Sequence, residues 1–337
     1  MGQDCDGGGN RYLSSVNFTT NAALQRLFKG REGVPAGVCS IQMTLDGPPW
    51  IVCPRRLLVL GRQADDSRVY QRKSEEHVLS LLEYKKGTRL GVWPEVKMKY
   101  TGTVNGLQKS FDYTFDYVVM PVGRASDEQI AEATGKTWSE MRTVMRRSGY
   151  QISEEGTHQY VEDGPIGIPH VIEIMTSSTS GGNKTKRTTI PMAFEDAVLG
   201  RPHAAPGINY RQVWARMVSQ LIVKSEITLA WGGKTLWIVQ DVLVDYITSS
   251  TALNIRDFLA KRTSEVNMLS FSYGKKVGAP DGVIELSDER LYSGPMGSGK
   301  REKPSFKDMI RAPICPPLSR LVLLLSRRTP STILIAP

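Results

Sequence analysis

Residues 111–122 read FDYTFDYVVMPV and residues 169–176 read PHVIEIMT. Both runs are rich in β-branched and aromatic residues and have the length of a strand. Each carries one carboxylate in its middle, Asp116 and Glu173, where the neighbouring residues predict burial. Upstream, VWPEVKMKY (92–100) reads as a further strand, with a turn at Thr103–Gly106. Before it, Ser74 is placed to cap a helix to about Lys86, with Glu75 and Glu76 in its first turn and Val78, Leu81 and Leu82 on its core face. Downstream, a helix from about Asn209 to Glu226 carries the apolar stripe Trp214, Met217, Val218, Leu221, Ile222 and the basic residues Arg211, Arg216 and Lys224. TLWIVQDVLV (235–244) reads as a last core strand, 252–264 as helical and 274–306 as loops. Helix, three strands, helix, strand predicts an α/β fold with a mixed central sheet flanked by helices.

The chain has 337 residues, 40% of them hydrophobic, and a formal charge of +9 from 43 basic and 34 acidic side chains. That composition excludes wholesale disorder, collagen and coiled coil, and the length suits about two domains. The expected division is a cysteine-containing subdomain at 1–60, a core at 61–265 with a helical hairpin inserted at 124–165, and a loop-rich region with a terminal helix at 266–337. No apolar run reaches the roughly 18 residues of a membrane span, and the opening MGQDCDGGGN lacks a signal peptide's apolar stretch. Four cysteines make no disulfide framework, so a reducing cytoplasm is expected. The excess charge favours polyanionic partners.

Two carboxylates on neighbouring strands repel unless a cation lies between them, and oxygen ligands of this kind suit Mg²⁺. The alternative is that each faces solvent at a sheet edge or pairs with an arginine. Glu95 and Lys97 alternate on one face of the preceding strand. There they either join the carboxylates or form an ordinary solvated face with Lys99. Lys184, Lys186 and Arg187 follow the Glu173 strand, and with Arg211 they suit phosphate contacts or plain solubility. Within SDEQIAEATGKTWSEMRTVMRRSG (126–149), Ser126 with Gln129 and Thr137 with Glu140 fit capping boxes. This pair of short helices has helix-turn-helix spacing, which would aim Arg142 and Arg146 at a DNA groove; many helical hairpins share it. Cys39 and Cys53 flank a hairpin whose turn signal is Asp46-Gly47. They are either two ligands of a structural iron or zinc, with Cys5 and Cys315 as further candidates, or buried thiols. GPMGSGK (294–300) lacks the Ser or Thr and the strand–helix context of a phosphate loop, so no nucleotide cofactor is expected.

GVCSIQMTLDGPPWIVCPRRLL (37–58), with TFDYVV and VIEIMT, resembles the NotI-type restriction endonucleases. The resemblance implies a PD-(D/E)xK nuclease core, Mg²⁺-dependent site-specific cleavage of double-stranded DNA, and a homodimer on a palindromic target. It implies that Asp116 and Glu173 bind the metal and that the cysteine element belongs to a four-cysteine iron site. Met175 stands where that family has Gln, and Lys97 is expected to supply the missing amine. The rival expectation, from another class, is a non-catalytic DNA-binding protein that reads DNA through 126–149.

Overall fold

The computed structural model describes residues 15–17, 22–27, 33–35, 40–42, 47–60, 69–180, 182–202, 204–274, 286–297 and 305–310. Cys5, Cys39, Asp46 and Cys315, the segments 61–68 and 298–304, and the expected terminal helix lie outside them. No helix among the described residues is long and apolar enough to cross a membrane.

The chain opens with two small antiparallel pairs. Ser15–Asn17 (β1) pairs Gly33–Pro35 (β2), with Ala22–Leu27 (α1) between them in sequence. Ser40–Gln42 (β3) pairs Pro49–Ile51 (β4), the hairpin the cysteine element implied. Pro54–Leu57 (α2) and Val69–Leu81 (α3) follow. Then come Leu90–Val104 (β5), Leu107–Ser126 (β6), Asp127–Thr134 (α4), Trp138–Arg147 (α5), Ile152–Glu155 (β7), His158–Pro165 (β8) and His170–Ile174 (β9). The rest is Thr179–Ser180 (β10), Ile190–Val198 (α6), Gly207–Ile208 (β11), Tyr210–Ala230 (α7), Thr235–Gln240 (β12), Asp241–Ser250 (α8), Val266–Tyr273 (β13) and Leu286–Gly294 (β14).

One mixed sheet organises this chain in the order β14-β13-β12-β9-β6-β8-β7, with β5 on β6. β12 runs parallel to β9 and β13, whereas β6 is antiparallel to β9. The expected α/β order of helix, three strands, helix, strand is present as α3, β5, β6, β9, α7 and β12. All six residues of β12 are buried because helices cover both of its faces. Trp237 and Val239 meet Val213, Met217 and Leu221 of α7 and Leu243, Val244 and Ile247 of α8. Leu236 and Ile238 meet Leu57, Leu58, Val78 and Leu82 on the other side.

Several expectations need correction. Ser74 is not a cap: α3 starts at Val69, because nothing in VYQRK stops a helix, and Ser74 lies buried inside it near Glu289. The strand read as 235–244 ends at Gln240. Leu243, Val244 and Ile247 bury at helical spacing, a period that a short apolar run does not distinguish from a strand. In 252–264 only Ile255–Phe258 is helical, as one 3₁₀ turn. Within 274–306, the stretch assigned to loops, Leu286–Gly294 is the edge strand of the sheet. Val266–Tyr273 hides in VNMLSFSY because Asn267 and Ser270 break its apolar pattern. Both are fully buried, and Asn267 is satisfied by Thr235, Ser264 and Ser293. The β3–β4 hairpin packs against the rest of the fold. Gln240 bonds Ile51 N–H at 2.7 Å and the Pro49 carbonyl at 2.6 Å, and Ile41, Trp50 and Val52 pack on Ile208, Tyr210 and Val242.

Candidate active site

β6 and β9 stay in register through Tyr117–Ile172 and then stop pairing. One step further on, the next two residues are Asp116 and Glu173. Their side chains take over the ladder bonds. Ile174 N–H donates to Asp116 Oδ2 at 2.8 Å, and Asp116 N–H reaches Glu173 Oε1 at 3.4 Å. The strands part here, and a cleft of about 870 Å³ opens between them and α7. Its wall includes Arg55, Glu95, Asp116, Glu173, Arg216 and Gln220.

α7 builds one side of the site. Asn209 caps it through Gln212 N–H, and Val213, Arg216, Gln220 and Lys224 follow at intervals of three or four along one face. Lys224 is 2% exposed. Its ammonium donates to Glu173 Oε2 at 2.5 Å and to the Thr114 carbonyl at 2.6 Å, with the Phe115 ring 5.7 Å away. It does not line the cleft but stands behind Glu173.

Burial pushes the Glu173 carboxyl up to about 8, and the nearby Asp116 charge adds to this, while Lys224 opposes it. Asp116 is raised too, first by burial and also by the charge of Glu95. Glu95 sits across from Asp116, between the Pro94–Tyr117 and Val96–Phe115 pairs, with a left-handed φ of 50°. Two adjacent carboxylates that both resist ionisation form a site that a proton or a cation relieves. Among the described residues no group of three or more His, Cys, Asp and Glu side chains is gathered for a metal. Asp116 and Glu173 together offer two hard oxygen donors, a type that fits Mg²⁺.

The structure brings Asp116, Glu173 and Glu95 together. It leaves Lys97 exposed and out of the cleft, opposite Thr114, so the amine that closes on the carboxylates is Lys224. Met175 packs against the core and bonds Ile238 through its backbone. Arg187 grips Asp196 with two 2.8 Å bonds and reaches Glu195, tying its loop to α6. Lys184, Lys186, Arg146 and Arg211 are exposed and away from the cleft. Arg142 reaches Glu154 at 3.8 Å. Both capping boxes form, and α4 and α5 pack through Ile130 and Met145 onto Ala125 and Val161. Cys53, the one candidate cysteine that is described, is buried just before α2.

Sequence reasoning missed Arg55, Gln220 and the roles of Arg216 and Lys224. For Lys224 a signal existed: it falls on the stripe of Met217 and Leu221, where a lysine needs a buried partner. No protein-family profile matches the chain, and neither curated proteins nor solved structures yield a match.

Proposed function

We propose that this chain is a Mg²⁺-dependent, site-specific endonuclease of double-stranded DNA, built on a PD-(D/E)xK core and acting as a homodimer. The observation that carries this reading is the pair Asp116 and Glu173, side by side at a strand divergence, backed by Lys224 and open to a cleft with arginines in its wall. Asp116 and Glu173 would hold the ion. Bound there, Mg²⁺ supplies charge to the phosphate and lowers the pKa of water. Lys224 is a positioning residue that fixes the Glu173 carboxylate. Arg55 and Arg216 offer charged donors to phosphate oxygens. Hydrolysis adds water oxygen to phosphorus and expels the sugar oxygen, which takes up a proton. The +9 balance and the resemblance to NotI-type enzymes support DNA as the substrate.

The test is cleavage of supercoiled plasmid with Mg²⁺ and with EDTA. Wild type is expected to cut only with Mg²⁺, while Asp116→Asn and Glu173→Gln are expected to leave the plasmid intact. Full cutting by both variants overturns the assignment.

A further inference from the structure

Beyond the cleft, β5 and β6 run on together as a two-stranded ribbon. Residues 96–104 pair with 107–115, and among the described residues no other strand pairs with either limb. Nine residues per limb span about 30 Å. Asn105 and Gly106 close the tip, both at positive φ, the conformation that suits a two-residue hairpin turn. The faces of the ribbon differ. One carries Met98, Tyr100, Phe111 and Tyr113, and Tyr100 is 70% exposed. The other carries Lys97, Lys99, Thr101, Gln108, Ser110 and one carboxylate, Asp112, all exposed. Strand alternation puts this polar face on the same side of β6 as Asp116.

A lone hairpin is marginally stable in water, so one this long gains from a partner. The major groove admits a two-stranded ribbon. The polar face offers amine, hydroxyl and amide groups, the types that reach phosphates and base edges. It also starts at the strand that carries Asp116. We infer that the β5–β6 ribbon lies in a DNA groove with its polar face inward, flanking the phosphate at Asp116 and Glu173. This rests on the nuclease reading for the location of that phosphate. Lys97 and Lys99 then neutralise backbone charge and fix register along the duplex. Lys99 is held by Asp112 at 3.1 Å, so docking exchanges that carboxylate for a phosphate.

The test is binding of the full chain to a labelled duplex in EDTA, followed by anisotropy from 50 to 200 mM salt. Lys97→Gln with Lys99→Gln is expected to lower the slope of log affinity against log salt by about 1.8, and to weaken binding at least about tenfold at 100 mM. Asp112→Asn is expected to tighten binding. Lys109→Gln, on the aromatic face opposite Gly102, is expected to change the slope by less than half as much as the lysine pair. Thermal melts confirm folding, and Lys97→Arg with Lys99→Arg is expected to restore the slope. An unchanged slope overturns the inference, as does an equal loss from Lys109→Gln. So does a double variant that changes only the oligomeric state, which would assign the ribbon to a second copy. Ribbon-dependent binding without cleavage by wild type overturns the endonuclease reading and keeps the ribbon. Cleavage and binding unaffected by the double variant do the reverse, and no DNA binding at all overturns both.

Discussion

Lys224 Nζ lies 2.5 Å from Glu173 Oε2, and neither side chain is more than 3% exposed. The pair bridges α7 to β9 through the interior. Removing one member of such a pair leaves an uncompensated buried charge, whereas an exposed pair such as Arg256 with Asp245 contributes little.

Above about pH 8, where Glu173 is ionised, Lys224→Met should therefore destabilise the fold by about 3–5 kcal/mol, and by less below it. Its effect on activity goes beyond stability. Lys224 holds the Glu173 carboxyl down, so its loss raises that carboxyl further. The rising limb of the pH–rate profile should move to higher pH, read by plasmid nicking between pH 6 and 9.5. A profile of unchanged shape would assign Lys224 a structural role alone.

The raised Glu173 carboxyl links pH to metal. Its folded pKa of about 8 lies above the ordinary 4.5. The stability it contributes is full below 4.5 and is lost as pH climbs through about 8. Thermal melts of metal-free protein should show this loss. On the proposed reading Mg²⁺ would compete with the proton, so it should raise the melting temperature at pH 8 and have little effect at pH 5. Glu173→Gln should flatten both trends. A Mg²⁺ shift of equal size at the two pH values would contradict the linkage.

Asp116→Asn and Glu173→Gln should each lower the single-turnover cleavage rate by at least about a hundredfold, the scale of losing one charged group that stabilises the transition state. Duplex affinity in EDTA should stay within a few fold of wild type, because the change removes negative charge from the cleft. Lost affinity together with lost cleavage would point to a folding defect.

Gly233, between α7 and β12, offers a purely steric test. A Cβ there would lie 1.8 Å from the Pro169 carbonyl oxygen and 3.2 Å from His170 Nδ1, so backbone would have to shift. Gly233→Ala should cost about 3 kcal/mol, measured by urea unfolding. Gly87→Ala meets no neighbour within 4 Å and pays only for its positive φ, so it should cost less.

Strand residues in the centre of the sheet were legible in the sequence because burial on both faces leaves an unbroken apolar run, as in 169–176 and 235–240. Asp116 and Glu173 stood out for the same reason, being charges where the pattern leaves no room for them. The capping boxes at Ser126 and Thr137 were readable because they are local. Val266–Tyr273 was hidden because buried Asn267 and Ser270 interrupt its apolar pattern, and the partners that satisfy Asn267 are ones only the fold brings near. Lys224 was assigned to α7 but not to the site, since its partner is 51 residues away in sequence. Arg55 and Gln220 reach the cleft only through tertiary packing.

β6 is one strand of twenty residues that meets β5, β9 and β8 in turn without a loop between them. A strand of this kind has no slack. Inserting or deleting one residue between Leu107 and Gly123 would turn every side chain beyond it to the opposite face and move Asp116 out of step with Glu173. Length can change only where the ladder ends: at the Asn105-Gly106 tip and in the α4–β8 excursion. Those two places are where grafted tags or extra loops will be tolerated, and the strand between them sets a fixed spacing from ribbon tip to carboxylate.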